Sequence, residues 1–502
     1  MYDNLVEGAL LAFTLYNIGY LFLGVVIGIV FGAIPGFNPS TVMVLLLPFS
    51  YFLGDATGLI FLSGIAGAGI FGGSITAILF RAPGTIGSII TAIDGYEMTK
   101  RGEGLKALGI STMASALGGF FGGVALLLLA PPLAIFATKI SYPETVLIIV
   151  WTFLLIAMAS TNFLKTMMAA TLGLLMASFG ADPINGFPRM TFGSFYLYEG
   201  INLLTAIVGV FCISELMNLV ARPSVVKTEG SVKGGYASAF EGAWLALKSP
   251  GIVTRSSAIG TVVGTLPAAG AALANAVAYE IQKRMDRNPK GYGEGKPEGV
   301  VAAEAANNAT EGSSLIPTMT LGIPGSNIGA VMLAAMILHG MAVGPQIFER
   351  NGDVAYALII AIIIANPIMM VIGLLISKYA AYLTYVKLNT ILPVLLILVT
   401  VGSFSVRNTT FDLPLLVIFG VLGFFMQRHG YSLIAFVLPF VLGKPLEQAF
   451  LISMRYSDNS FAIFTQSAIS KGLLGLVALT VAYTIYQKKR AKMNLERNEA
   501  AQ

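Results

Sequence analysis

Long apolar stretches, separated by short breaks of glycine, proline or charge, dominate this chain. Helices of about 20 apolar residues cross a bilayer, and shorter pieces flanked by breaks are typical of tilted, half-spanning or re-entrant helices. The pattern predicts an all-α polytopic membrane protein with roughly 10 to 14 transmembrane segments. The longer runs lie at 14–34, 58–79, 107–129, 145–160, 164–180, 201–220, 252–266, 354–376, 391–403, 412–426 and 460–486, and the shorter pieces at 37–53, 84–93, 268–282, 300–316 and 326–342.

Two Gly-rich segments that end in a Pro-Gly break are similar in the two halves of the chain. GGSITAILFRAPGTIGS begins at Gly72, and GSSLIPTMTLGIPGSNIG begins at Gly312. An earlier break precedes each of them in the same order, GAIPGFNPST from Gly32 and GTLPAAGAAL from Gly264. We infer an internal duplication. Paired broken apolar helices are the best sequence indication of a transporter's substrate site.

Charge predicts how the halves are oriented. Basic residues concentrate at 100–106, 283–296 and 488–492, which places these regions in the cytoplasm. The loops equivalent to the first two carry no such excess, so the bias has changed sides, as in inverted-topology repeats. The linker between the two halves is basic, although a strictly inverted arrangement with a cytoplasmic C-terminus places it outside. The alternative is a parallel duplication, or no duplication. The predicted domains are a first repeat, a linker, a second repeat and a cytoplasmic basic tail, at 1–225, 226–250, 251–486 and 487–502.

Composition excludes several classes of protein. With 56% hydrophobic and 11% charged residues and a mean hydropathy of +0.80, the chain cannot be a soluble globular protein. The net charge of +5 indicates orientation in a membrane rather than nucleic-acid binding. His339 and His429 are far apart and belong to no metalloenzyme or nucleophile motif, so we do not expect an enzyme. No organic cofactor is expected.

Helix N-termini at the four breaks are the candidate substrate site. A break in an apolar helix persists only against protein or a wet cavity, and its free N–H groups favour an anion. The alternative is that Gly and Pro merely permit kinks and close helix packing. The candidate substrate-binding residues are Gly36, Asn38, Ser40, Thr41, Gly73, Ser74, Arg81, Pro83, Gly84, Thr85, Pro324, Gly325, Ser326 and Asn327.

One helix of the second half carries polar residues on a single face. Glu304, Asn307, Asn308 and Glu311 fall at helical spacing in a stretch otherwise made largely of Ala and Val. Buried charges of this kind usually line a wet path. We take Glu304, Asn307 and Asn308 as candidate ion-coupling residues, either for a proton or for Na⁺, the one possible metal. The alternative is a helix near the cytoplasmic surface whose polar side is simply exposed to water.

Arg81 is open to two interpretations. Its guanidinium could hold a substrate carboxylate in a bidentate manner, or it could reach the interface or pair with an acid such as Asp94. Asp94-Gly95 itself is typical of a helix end and turn.

The motifs resemble those of the large membrane subunit of tripartite tricarboxylate transporters, the TctA family. The matching stretches include GAIPGFNPST, FGGSITAILFRAPG, TAIDGYEMTKRGEGLKALGI, FGADPINGFPRMTFG, PEGVVAAEAANNATEGSSLIPTMTLGIPGS and FDLPLLVIFGVLGF. They extend over essentially the whole chain. Two departures are Ala268, where the family pattern has a second Gly after Pro267, and Arg81, where the family more often has a neutral polar residue.

This resemblance implies an ion-gradient-driven secondary transporter subunit of the bacterial inner membrane, with its C-terminus in the cytoplasm. The implied partners are a small four-helix membrane subunit and a periplasmic solute-binding protein that delivers an organic carboxylate. An anion channel is the alternative function, and an integral membrane enzyme is a more remote one.

Overall fold

The architecture is that of a computed structural model, and it is predominantly helical. It describes residues 2–34, 37–160, 162–221, 235–266, 270–380 and 388–482. The chain forms two compact units, one of Met1–Ala137 with Leu203–Phe425 and one of Thr138–Asn202 with Met426–Gln502. The prediction of an all-α polytopic membrane protein is confirmed.

The first six helices contain the first two predicted breaks. Thr14 caps α2 by accepting a hydrogen bond from the Asn17 N–H, and Pro39 occupies the first turn of α3, where its missing N–H costs nothing. α4 ends in a left-handed residue, Arg81, with φ 54°. The helices are α1 (Tyr2–Ala12), α2 (Leu15–Gly32), α3 (Pro39–Tyr51), α4 (Asp55–Phe80), α5 (Ser88–Lys100) and α6 (Gly104–Ala137).

Four further helices complete the first predicted repeat. A capping box of Ser141 and Glu144 starts α7, and Asn162 caps α8. α9 continues through a π-helical stretch, Val208–Ile213, into α10. The elements are α7 (Tyr142–Ala159), α8 (Phe163–Ala177), a short antiparallel hairpin of β1 (Gly180–Ala181) and β2 (Pro188–Arg189), the 3-10 turn Phe195–Leu197, α9 (Leu203–Ile207) and α10 (Ser214–Ala221).

The second half repeats the element order of the first. Prolines again start helices, at Pro250 and Pro297, and the polar stretch at 300–316 belongs to one continuous helix of 25 residues. The helices are α11 (Tyr236–Leu247), α12 (Pro250–Gly264), α13 (Gly270–Met285), α14 (Pro297–Leu321), α15 (Asn327–Leu338), α16 (Ile347–Arg350) and α17 (Gly352–Ile376), followed by the 3-10 turn Ser377–Tyr379.

The C-terminal part adds α18 (Leu388–Arg407), α19 (Asp412–Arg428), α20 (Leu433–Tyr456), the 3-10 turn Phe461–Thr465 and α21 (Ala468–Ala482). α20 is absent from the predicted runs because Pro439, Lys444 and Pro445 interrupt its apolar pattern. It packs against α7 and α8 in the second compact unit.

Five of the described helices are long and apolar enough to cross a membrane, and seven shorter apolar helices of 10–17 residues accompany them. The long ones are Leu15–Gly32, Asp55–Phe80, Gly104–Ala137, Gly352–Tyr379 and Leu433–Tyr456. The number of crossings, estimated at roughly 10 to 14, stays a prediction.

Equivalent helices make reciprocal contacts. Within the halves, α2 packs on α4 and α12 packs on α14. Between the halves, α1 packs on α17 while α11 packs on α6, and α3 packs on α15 while α13 packs on α5. Exchange of this kind is what two related copies make, and it supports the inferred duplication. Inversion of the copies relative to a membrane stays a prediction.

Small residues allow these close contacts. Gly24, Gly28 and Gly32 of α2 face the backbone of α4, where any Cβ would collide with a carbonyl oxygen. Gly260 and Gly264 do the same on α12 toward α14. Small residues four positions apart permit backbones to approach where the hydrophobic effect between helices is absent. The interior is accordingly built from tightly packed backbones.

Several predicted features fall outside the described residues: the break residues Pro35, Gly36, Pro267 and Ala268, most of the linker's first half, and the basic tail. α11 lies within the segment predicted as a linker, 226–250, and is the counterpart of α1. The predicted domain boundaries are not tested and stay predictions.

Candidate functional site

The second Pro-Gly break forms a capped helix N-terminus. α14 ends at Gly322, which has a φ of 69° that favours glycine. The chain turns through Pro324 and Gly325, and α15 starts with Ser326, whose Oγ accepts a hydrogen bond from the Gly329 N–H at 3.0 Å. We call Pro324 to Asn327 the second tip. Its helix dipole and free N–H groups are directed toward the break.

The first Pro-Gly break is built in the same way. Arg81 holds the left-handed position that Gly322 holds in the second half, and Thr85 Oγ1 accepts from the Ser88 N–H at 3.2 Å, as Ser326 does from Gly329. The Gly84 N–H donates to the Gly73 carbonyl at 3.1 Å, which folds the break back onto α4. We call Pro83 to Thr85 the first tip.

Each tip packs on the end of the helix that precedes the earlier break of its own half. A Cβ on Gly84 would lie 2.8 Å from the Gly32 carbonyl oxygen, and one on Gly325 would lie 2.8 Å from the Gly264 carbonyl oxygen. Such distances leave no room for a side chain. Glycine is required at both positions for the same reason, so the four breaks form two pairs, one in each half.

Glu304 joins α14 to the first break. Its side chain is fully buried, and it accepts hydrogen bonds from Ser74 at 2.7 Å, from Thr91, and from Ser115 at 2.6 Å. These donors lie on α4, α5 and α6. A buried carboxylate persists only when its lone pairs are satisfied, and three hydroxyls supply that here. Glu304 thereby holds the helices on both sides of the first tip.

Buried amides lie behind the first tip. Asn275 Nδ2 donates to the Gly87 carbonyl at 2.9 Å, and a Cβ on Gly87 would collide with Asn307 Oδ1. Asn275 Oδ1 and Asn307 Nδ2 are buried without a hydrogen-bond partner among the described residues. Asn307, a predicted ion-coupling residue, therefore lies against the loop that follows the first tip.

A narrow cavity lies beside the second tip. About 30 Å³ of it is open to the centres of water molecules, enough for about two waters, since each needs about 10–15 Å³. Asn308 and Glu311 of α14 line it together with Ser63 of α4, Ile328 of α15 and Asn366 of α17. Residues of the two tips are not among its lining, and Ile328 follows the second tip directly. In this arrangement it is too small for a tricarboxylate.

The remaining predicted substrate residues lie in different surroundings. Ser40 and Thr41 are buried in α3, and Asn38 precedes it without a side-chain cap bond. Pro83 and Arg81 are exposed, and the Arg81 guanidinium lies 5.8 Å from the ring centre of Tyr96. No ion pair between Arg81 and Asp94 is among the contacts of the described residues. A role in binding the substrate stays a prediction for all of them.

The carboxylate of Asp94, a residue of α5 in the first half, is enclosed by a loop of the second half. Its Oδ1 accepts three backbone N–H bonds, from Gly293, Gly295 and Lys296 at 2.8–2.9 Å, and its Oδ2 accepts the Tyr279 hydroxyl at 2.8 Å. We call this arrangement the Asp94 clasp. It joins α5, which follows the first tip, to the loop between α13 and α14. The prediction of a helix end and turn at Asp94-Gly95 is wrong, because both residues lie inside α5.

Within that loop, Lys296 pairs with Asp286 at 2.9 Å. The Asn288 N–H, and then the Lys296 ammonium, lower the pKa of Asp286 to about 2. The loop is therefore held in its closed shape by its own charges as well as by Asp94.

His339 makes the reciprocal arrangement in the first half. It ends α15, and its Nε2 lies 3.2 Å from Ser50 Oγ on α3. The Ser50 hydroxyl donates its one hydrogen bond to the Leu47 carbonyl, so its oxygen accepts a hydrogen bond from Nε2. Nδ1 lies 3.5 Å from Asp55 Oδ1 and has no hydrogen-bond partner among the described residues, so an ion pair forms there only when the imidazole is protonated. We call this the His339 clasp.

The two clasps occupy equivalent places. A Cβ on Gly299 would collide with Asp94, and a Cβ on Gly58 would collide with His339. Gly58 and Gly299 are separated by the same number of residues as Pro83 and Pro324. Each clasp therefore joins the helix after one half's later break to the start of the long helix in the other half.

A duplicated set of broken helices, with capped tips and buried acids between them, defines a multi-pass membrane protein of the transporter class. Residues 18–438 match the family described as Tripartite tricarboxylate transporter TctA family. The chain belongs to this family, so it is a subunit of a tripartite transporter that includes partner subunits. The resemblance seen in its motifs is confirmed.

Two relatives from Agrobacterium vitis are similar to this chain. One, described as an uncharacterized 52.8 kDa protein in the TAR-I ttuC′ 3′ region, is 34% identical over 500 residues, which is 98% of this chain and 97% of the relative. The other, described as an uncharacterized protein in the TAR-II ttuC′ 3′ region, is 32% identical over 234 residues, 46% of this chain and 96% of that protein. No solved structure matches the chain.

Proposed function

We propose that this protein is the transport subunit for an organic di- or tricarboxylate, driven by an ion gradient across the bacterial inner membrane. The observation that carries the proposal is the second tip: a capped helix N-terminus whose Ser326 bonds to Glu311, one of the few polar residues of a mostly apolar cavity, in a duplicated fold with a matching first tip. Substrate delivery by a periplasmic binding protein and assembly with a small four-helix subunit complete the proposal, since the chain belongs to a tripartite family.

The chemistry of the second tip suits a carboxylate. The first turn of α15 leaves N–H groups free, apart from the Gly329 N–H that Ser326 accepts. Helix N-termini carry about half a positive charge, which favours anions. Gly325 brings the backbone itself to the site, because no Cβ intervenes. The residues proposed to contact substrate here are Gly325, Ser326 and Asn327.

Transport requires that the cavity open alternately to each side. Both clasps are closed in this structure and the cavity beside the second tip is narrow, so the arrangement corresponds to an occluded state. We assign the Asp94 clasp and the His339 clasp to the closures on opposite sides, since they are equivalent in a reciprocal fold. Opening moves α5 or α15, each with its tip, against the longer helices.

Reconstituted vesicles test this function. The protein, its membrane partner and its binding protein are combined in proteoliposomes, and uptake of radiolabelled citrate, tartrate and other di- and tricarboxylates is measured under an imposed Na⁺ or proton gradient. We expect saturable accumulation of at least one carboxylate that requires both the gradient and the binding protein.

The rival functions give different outcomes in the same vesicles. An anion channel lets the solute equilibrate without accumulation and without a binding protein, whereas an enzyme changes the solute's chemical identity. Either result contradicts the proposal. An empty-vesicle control and a gradient collapsed with an ionophore establish that accumulation depends on the protein and the gradient.

A further inference from the structure

The two acids on the polar face of α14, the fully buried Glu304 and the partly buried Glu311, differ in how their charges are satisfied. Glu304 accepts from three hydroxyls, as described above. Glu311, two turns further along, accepts a hydrogen bond of 2.9 Å from Ser326 and faces the cavity. Among the described residues, no cationic side chain pairs with Glu311. A carboxylate in such a place needs a cation or a proton.

A second observation at the same cavity points to a ligand. Asn308 is only 3% exposed, and neither its Oδ1 nor its Nδ2 has a hydrogen-bond partner among the described residues. Buried amides are normally hydrogen-bonded, and each that is not needs an explanation. Asn308 and Glu311 are three residues apart on one helix, so they share a face, and both line the cavity.

We infer that Asn308 and Glu311 form a binding site for a monovalent cation of the size of Na⁺. Carboxylate and amide oxygens are ligands for hard cations, and transporters of this general design bind Na⁺ beside broken helices. The volume open to water centres, about 30 Å³, is enough for about two waters at about 10–15 Å³ each, so it admits a dehydrated ion with at most a water or two. Asn366 lines the same cavity and offers a further oxygen.

The site explains how cation and substrate are coupled, an inference that rests on the proposed function. Ser326 caps the second tip. Without a cation, its hydroxyl donates a hydrogen bond to the Glu311 carboxylate. The negative charge of Glu311 then lies next to the place proposed for a substrate carboxylate. A cation on Glu311 neutralises that charge and releases the Ser326 hydroxyl to donate to the substrate. The cation must therefore bind for the anion to bind well.

Direct binding of Na⁺ tests the site without any transport assay. The purified full-length protein is titrated with ²²Na⁺ in choline buffer, in parallel with the Glu311→Gln, Asn308→Ala, Glu304→Gln and Glu298→Gln variants. We expect saturable Na⁺ binding that Glu311→Gln weakens at least tenfold and Asn308→Ala weakens measurably. Glu298→Gln is the matched control, an acid in the first turn of the same helix that does not line the cavity, and we expect it to keep the wild-type Na⁺ affinity. Glu304→Gln tests the other candidate ion-coupling acid of that helix. Monodispersity and melting temperature establish that each variant is folded.

The coupling is tested with citrate as the probe. We expect Na⁺ to tighten citrate binding to the wild type, and Glu311→Gln to bind citrate equally with and without Na⁺, because the neutral amide mimics the occupied site. No saturable Na⁺ binding, or a loss confined to Glu304→Gln, overturns the inference, as does binding that responds to pH alone. Failure of carboxylate uptake with intact Na⁺ binding contradicts the proposed function instead.

Discussion

Removal of the Asp94 carboxylate should open one side of the cavity. In Asp94→Ala, four donors lose their acceptor, and two of them, the Tyr279 hydroxyl and the Gly295 N–H, are in buried hydrogen bonds. The N–H groups of Gly293 and Lys296 are partly exposed and can turn to water. An unsatisfied buried donor costs about 1–3 kcal/mol, so the closed state loses roughly 2–6 kcal/mol.

That change shifts the balance between closed and open clasp by about 30-fold or more, since about 1.4 kcal/mol corresponds to a factor of ten. Asp94→Asn should behave differently. Its Oδ1 can keep the three N–H bonds and its Nδ2 can donate to the Tyr279 oxygen, so the losses are the strengthening by charge and the acceptor of the Tyr279 proton. We therefore expect the equilibrium between closed and open clasp to shift strongly in Asp94→Ala and more weakly in Asp94→Asn.

Thiol labelling measures the opening. A cysteine at Gly67, where a Cβ meets nothing within 4 Å, lines the cavity, and Cys212, the chain's sole cysteine, is replaced by Ala. A membrane-impermeant maleimide is added on the side that bears the loop at 286–296. Asp94→Ala should react at least tenfold faster than the parent, Asp94→Asn should stay near it, and Asp3→Ala, an exposed acid, should be unchanged. Equal rates in Asp94→Ala and the parent would refute the assignment of this clasp as a closure.

Two further predictions concern the tips and Glu304. Gly84→Ala and Gly325→Ala each place a Cβ under 3 Å from a carbonyl oxygen, and overpacking of this kind costs about 1–3 kcal/mol. Both variants should therefore have a lower melting temperature and at least tenfold less uptake, whereas Gly19→Ala, with open space around it, should change neither. Glu304→Gln replaces an acceptor of three hydroxyls by an amide that must itself donate, and we expect insertion to be retained and uptake to be lost; wild-type uptake by the purified variant would exclude Glu304 from the mechanism.

Local patterns in the sequence are sufficient to predict the duplication and the broken helices. The Pro-Gly motifs mark both tips because proline and glycine act on their own neighbours, whatever the rest of the chain does. The polar face of α14 is also local, since helical spacing alone groups its residues. Glu304, Asn307 and Asn308 are buried, although the sequence could not show which of them has partners, and their role in ion coupling stays a prediction.

The clasps could not be predicted, because their partners are distant in the chain. Asp94 is held by a loop some 200 residues away, through backbone N–H groups that no side-chain pattern reveals. The one signal is the alternation of glycines in GYGEGKPEG, where Gly291, Gly293 and Gly295 all have positive φ. Such a run predicts an unusual backbone, and the anion it surrounds is identified only by the fold.

The two repeats have diverged where coupling is proposed. At the spacing that separates Pro83 from Pro324, the counterparts of Glu304 and Glu311 in α4 are Ser63 and Ile70. Both acids therefore belong to α14, where Glu304 bonds to Thr91 after the first tip and Glu311 bonds to Ser326 at the second. Because a continuous helix moves as a rigid element, neither tip can leave α14 without breaking a bond to an acid. A cation that weakens the Glu311 bond selectively thus releases the second tip while Glu304 still holds the first, which gives the duplicated fold the asymmetry that coupling needs.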